Sequence, residues 1–354
     1  MKHLERIKGK RIMVTGGAGF IGAHICRGLM ANDAQFVIAV DDCSGCLGNK
    51  NLAALLNNYD DDRFEFYNGG CELFPVRRLC EDRRIDTLVH CAANARESAS
   101  QFQPLAVTKR NYYAYISALT YALQAGVRNV VMFSSMSVYG NGTKPPPFHE
   151  DQPLAPEDVY AVNKVAMEHT TAILSSVHKF NYVIIRPHNV FGELQALHDR
   201  FRNVVAIWMN LIMRGEPITI FGDGEQRRAF SYIGDSLPSF LHAIANAEVL
   251  HGHAVNVGGK EHISLNELCA AVKQSMGVPN HPVQYLPPRP LEVKHAWSTH
   301  AKSELLLDYS ETIGWVEGIR RMAAWAKSQR AQEWKNSDPL ELRTDCTPSP
   351  WLTQ

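Results

Sequence analysis

Nowhere does this chain reach the roughly 18 uninterrupted apolar residues that a membrane-spanning helix requires, which removes a membrane partner. Charge of one sign is missing as well. Lys and Arg total 36 and Asp and Glu total 36, so no basic excess recommends a nucleic acid or an anionic surface. The opening MKHLERIKGKRIMVTGG carries charges where a secretion signal needs an apolar run, and the expectation is a cytoplasmic protein. Fixed-period repeats are absent. The eight cysteines are scattered, with one CxxC pair at Cys43 and Cys46. No second pair or finger-spaced His follows it, so two loop thiols are expected and no metal site. What remains open to 354 residues, 45% of them hydrophobic, is a globular protein with a large core and a small-molecule ligand.

What is present is a rhythm. β-Branched runs at 11–15, 36–40, 63–67, 87–92, 129–135 and 181–187 alternate with helical patterns, including long ones near 104–125 and 158–176. Repeated units of this kind predict an α/β fold, a doubly wound parallel sheet of the Rossmann type with helices on both faces. The domain expectation is a dinucleotide-binding unit over 9–187, joined by a helix returning near 236–247. A smaller, irregular C-terminal substrate lobe over 188–333 is expected to cover the carboxyl edge of the sheet, where such folds bind ligands. Residues 334–354 read as a tail.

TGGAGFIG places Gly16, Gly19 and Gly22 between the first strand and the first helix. Glycines there permit the tight turn, the close approach of a pyrophosphate and dense helix-to-strand packing. Asp41 ends the next strand 19 residues after Gly22, where a carboxylate can accept from the adenine ribose hydroxyls. With Asp42 beside it and no Arg following at once, a 2′-phosphate is repelled. NAD is expected rather than NADP.

Ser134 and Ser135 close a strand, and Tyr160 and Lys164 share one helical face. In this order, with the glycine loop, these motifs resemble the extended short-chain dehydrogenase/reductase family from about residue 9 to 330. Within it the likeness is to nucleotide-sugar epimerases of the UDP-galactose 4-epimerase type. Further matches are HCAAN (90–94), VYG (138–140), RPHNVFG (186–192), IFGDGEQRRAFSYIGD (220–235) and PPRPLEV (287–293). The chemistry accounts for the set. A phenol of pKa about 10 is a poor base at neutral pH unless cations stabilise its phenolate, and Lys164 and the nicotinamide ring supply them. Ser135 would hold the same sugar oxygen.

The resemblance implies that Phe20, Ile21, Cys71, Ala92 and Asn111 also line the cofactor site. It implies that Asn189, Asn203, Arg228 and Arg289 hold the diphosphate of a UDP-sugar, with Phe221 beside the uracil. It further implies a homodimer through a four-helix bundle, for which Ala114, Ile116, Leu119, Leu123, Val165, Ala166 and Ile173 offer apolar faces. Relatives that dehydrate, decarboxylate or epimerise at C3 and C5 carry an ionisable side chain just after the catalytic Ser or Thr. Here Met136 and Ser137 stand there, which leaves oxidation and re-reduction at one carbon, most simply 4-epimerisation. Net oxidation or reduction of a sugar nucleotide, or a dehydratase using Glu193 or His149, is the alternative, and a non-catalytic NAD-sensing protein is the alternative of another class. His188 and Arg96 are further sugar-contact candidates, with an uronate carboxylate suiting Arg96. Gly70 stands where the family has an adenine-binding Asp, so backbone groups at Cys71 would substitute. Ala296, ahead of Trp297, would leave room for an N-acetyl group.

Overall fold

The computed structural model describes residues 2–45, 62–335 and 338–352. Cys46 and the helical pattern of NLAALLNN (51–58) lie outside the described residues. The first six strands are β1 (Arg11–Thr15), β2 (Phe36–Asp41), β3 (Phe64–Asn68), β4 (Thr87–His90), β5 (Asn129–Phe133) and β6 (Asn181–Pro187). With His253–Val257 they form one parallel sheet in the order His253–Val257, β6, β5, β4, β1, β2, β3. The central strands are buried along nearly their whole length because helices cover both faces, and continuous apolar runs such as NVVMF suit that environment. Strand order reverses between β1 and β4, so the loops leaving their carboxyl ends part and open a crevice there.

The Ile233–Ala245 helix returns to this unit and packs on the Phe20–Ala31 helix. Gly28 permits the contact, since a Cβ there would lie 2.7 Å from Leu241 Cδ1. Short strand pairs build the lobe: Val190–Phe191 with Ser231–Tyr232, Ile218–Phe221 with Val283–Leu286, and Arg227–Ala229 between His262–Ser264 and His295–Ala296.

The C-terminal segment departs from the reading as a tail. Glu341 accepts from the backbone N–H groups of Leu105 and Ala106, both at 2.8 Å, at the start of the Pro104–Thr108 helix. Asp338 pairs with Arg110 at 3.0 Å. Trp351 is buried edge-on against Phe102 and Phe201, with ring centroids 5.7 and 5.2 Å away. These residues form a small apolar cluster with Ala99 and Leu340, so the segment is a strap lying across the crevice. Trp351→Ala should unlatch it without unfolding the main core, and limited proteolysis should cut it roughly tenfold faster or more. Unchanged protection would show that the aromatic cluster does not hold the strap.

The apolar faces assigned to a dimer are divided by the fold. Ala114 and Leu119 are consumed by the chain's own core, whereas Ile173 is 63% exposed, alongside exposed Val162 and Val177 on the same helix.

Candidate active site

The crevice continues under the lobe as a cavity of about 1170 Å³, larger than the roughly 300–1,000 Å³ of a site for one small ligand. Gly16, Gly19, Phe20, Ile21, Gly22, Asp41, Cys71 and Ala92 line one end. Gly16 has φ +68°, and a Cβ there would meet Ala92 N at 2.6 Å; a Cβ on Gly22 would meet Gly16 O at 2.1 Å. The loop therefore closes only with glycine. Gly19 caps the first helix without a side-chain bond, which leaves first-turn N–H groups open to an anion. Asp41 accepts from Ala18 N at 3.1 Å and Cys43 N at 2.8 Å, holding its carboxylate at the end of β2. A dinucleotide fits this donor set: the loop and helix start would hold its pyrophosphate, and Asp41 a ribose.

Two findings qualify the sequence reading at this end. No Arg follows Asp41 and Asp42 at once, yet Arg110 reaches Asp42 from a distant helix at 3.2 Å. Its charge is shared between Asp42 and Asp338, so the acidic character of the ribose pocket persists. Asn111 does not line the cavity. A π-helical turn, Lys109–Tyr113, aims it at the backbone of Asn94, where it accepts from N at 2.7 Å and donates to O at 3.2 Å. It braces the loop after β4 that forms the cavity floor.

Ser135, Tyr160 and Lys164 meet beside that floor. Asp158 caps the Val159–His178 helix by accepting from Ala161 N at 2.7 Å, which sets Tyr160 in its first turn. Lys164 lies with its Nζ 5.6 Å from the Tyr160 ring centroid and donates to Phe133 O at 2.6 Å. Burial pushes the Lys164 ammonium down to about 8. Burial pushes the Tyr160 phenol up, the charge of Glu97 adds to this, and a hydrogen bond with Ser135 opposes it. Beneath them Arg186 is buried in a fork with Glu168, at 3.0 and 2.6 Å, and donates to Tyr139 Oη at 2.7 Å.

At the lobe end lie Asn189, Asn203, Phe221, Arg228 and Arg289. Asn203 caps the Val204–Arg214 helix through Val205 N at 3.0 Å, so that helix start is turned toward the cavity. Asn189 donates to Ala229 O at 2.8 Å. Arg228 donates to the carbonyls of Arg227 and Lys294, at 2.9 and 3.0 Å, and to that of Val293. Arg289 forks onto Glu292 at 3.2 and 2.8 Å and lies 5.0 Å over the Phe221 ring. Parallel pairing of Ala296 with Arg228 turns Ala296 into the cavity, while Trp297 stacks on His262 at 3.9 Å.

The remaining candidates are engaged in contacts of their own. Arg96 is buried in an ion pair with Asp199 at 3.0 Å. His188 is fully buried with Nε2 3.1 Å from Ser298 Oγ. Glu193 accepts from Tyr232 Oη at 2.9 Å, and His149 lies 3.5 Å from Thr299 Oγ1; neither lines the cavity. Two carboxyl groups that do line it, Glu97 and Asp158, both act on Tyr160, and neither is marked by a motif. Ser137 donates to Ser135 Oγ at 2.9 Å and both stand beside the Glu97 carboxyl, so an ionisable group lies near this centre although Met136 and Ser137 follow the serine. Its distance in sequence from the serine motif hid it.

His90 and His188 carry a pH consequence. Burial pushes both imidazoles down to about 3 from 6.5. The unfolded chain then binds more protons than the folded one between those values, so stability should decline as pH falls from about 6.5 toward 3. Denaturation midpoints measured across that window should flatten in His188→Gln; an unchanged slope would exclude His188 as a contributor.

Fold and site together define a class: an extended short-chain dehydrogenase/reductase. Residues 12–258 match the family "NAD dependent epimerase/dehydratase", and the chain belongs to that family, with NAD as its cofactor. A UDP-glucose 4-epimerase of Mycolicibacterium smegmatis is 30% identical over 90% of this chain and 99% of its own. A mouse dTDP-D-glucose 4,6-dehydratase is 29% identical over 93% of this chain and 92% of its own. The crystal structure of a Bacillus cereus UDP-glucuronic acid 4-epimerase with UDP-glucuronic acid and NAD superposes with a TM-score of 0.81 at 28% identity, covering 90% of this chain and 99% of that one.

Proposed function

We propose that the protein is a nucleotide-sugar 4-epimerase of the UDP-hexose class, working through a transient 4-keto sugar. The observation that carries this reading is the convergence of Ser135, Tyr160 and Lys164 beside the glycine loop, with Met136 and Ser137 in the positions that follow the serine. NAD, when bound, supplies reversible two-electron oxidation and a positively charged ring. Tyr160 takes the O4 proton as the sugar is oxidised and returns it on reduction, while Ser135 holds that oxygen in line. Lys164, fixed by the Phe133 carbonyl, favours the phenolate that the buried site otherwise opposes. Arg228, Arg289 and the start of the Val204–Arg214 helix would grip the diphosphate while the keto sugar turns about its link to present the other face.

Dehydration is the second reading, favoured by Glu97 as an acid or base near Ser137 and by the likeness to the mouse dehydratase. A purely NAD-sensing role has no use for a matched Ser–Tyr–Lys centre. Incubating the protein separately with UDP-glucose, UDP-N-acetylglucosamine and UDP-glucuronate, and following the anomeric signals by NMR, tests these readings. An isomer of equal mass supports epimerisation; a product lighter by one water overturns it.

We also infer a homodimer in which the exposed Val162, Ile173 and Val177 of one copy meet those of the next. A monomer in sedimentation velocity would count against it.

A further inference from the structure

We propose that Glu97 reads the sugar: its carboxylate accepts hydrogen bonds from the hydroxyls of a neutral hexose and turns away a uronate. The inference rests on the UDP-sugar reading above. Glu97 opens a short 3-10 turn, Glu97–Phe102, after β4. Ser100 Oγ donates to the Glu97 carbonyl at 2.6 Å, and Arg289 donates to Ser98 Oγ at 2.7 Å, so the turn is pinned on both sides. The side chain is exposed to the cavity that also holds Ser135, Tyr160, Arg228 and Arg289.

The groups that line the same cavity and act on its carboxylate come from four separate elements. Ser135 and Ser137 follow β5, Arg228 lies on Arg227–Ala229, Arg289 follows Val283–Leu286, and Tyr160 and Asp158 belong to the Val159–His178 helix and its cap. A position shared by the arginines proposed for the diphosphate and by the Ser–Tyr centre proposed for O4 is the position of the sugar ring between them. A ring there presents hydroxyls to Glu97, which as an ionised acceptor makes the stronger kind of hydrogen bond.

A carboxylate at C6 would meet the opposite environment. Glu97 and Asp158 already contribute acidic charge, and Arg289 is engaged by Glu292. Arg96, the residue the sequence suggested for a uronate, is buried against Asp199, which also pairs with Arg202 at 3.3 Å. One unscreened like-charge contact at an effective dielectric near 20 weakens binding by roughly 30-fold or more. Protonating Glu97 removes that repulsion. Desolvation raises its carboxyl from the ordinary range and that of neighbouring Asp158 to about 7, so acidification relieves the repulsion from both.

The test is calorimetric binding of UDP-glucose and UDP-glucuronate to the NAD-loaded protein at pH 8 and pH 5.5, with UDP as the sugar-free reference. The wild type should favour UDP-glucose by roughly 30-fold at pH 8 and by less at pH 5.5. In Glu97→Gln the preference should shrink to within about threefold at both pH values. Equal affinity of the wild type for the two sugars at pH 8, or a preference that survives Glu97→Gln, overturns the proposal. Should the variant fail to fold, the wild-type pH dependence decides alone, and a preference that does not narrow on acidification rejects it. The sugar preference is measured whether or not turnover occurs, so a failed NMR assay with an intact sugar preference would sink the epimerase reading only. UDP bound without either sugar adding discrimination would sink the Glu97 assignment.

Discussion

Tyr160→Phe should lower epimerisation about 10³-fold while leaving NAD binding and the fold intact, because it deletes one oxygen and no packing surface. On the proposed mechanism the phenol takes the O4 proton, and its ring remains fixed by the Asp158-capped helix turn. Residual turnover should lose the dependence on a group near Lys164, whose ammonium burial has pushed down to about 8. Single-turnover measurement of isomer formation is the check. Activity within tenfold of the wild type would remove Tyr160 from the reaction.

Arg186→Met should cost about 3–5 kcal/mol of stability, the penalty for leaving a buried carboxylate without its partner. Arg186 and Glu168 are both about 5% exposed, and Glu168 also accepts from Ser134 Oγ at 2.5 Å. The pair bolts β6 to the helix that carries Tyr160 and Lys164, so its loss should disturb the centre along with the fold. Adding Glu168→Leu should restore much of the stability, since an apolar replacement of both partners needs no compensation. Denaturant titration of the single and double variants decides it; a loss below about 1 kcal/mol for Arg186→Met alone would show that water reaches Glu168.

Parts of the site were legible because they are written in short spacings. The glycine trio, Asp41 nineteen residues on, and Tyr160 four before Lys164 each reflect one local conformation. Asn111 was legible as important but not in its role, since only the π-helical turn shows that its amide braces Asn94 rather than facing the cavity. Glu97 and the strap left no such signature. Nothing periodic marks a lone acidic residue in a loop, and a polar C-terminal stretch ending in PSPWLTQ resembles any tail until Phe102 and Phe201 are seen to receive Trp351.

Sequence alone determined the parallel sheet, the cofactor loop and the helix bearing Tyr160 and Lys164, because strand and helix periodicity and turn chemistry act within a few residues of one another. The third dimension decided which polar and charged groups meet: Glu97 beside Ser135 and Ser137, Arg96 against Asp199, Arg110 between Asp42 and Asp338. Those pairings join loops far apart in the chain, and electrostatic interaction depends on separation in space, which no local pattern encodes.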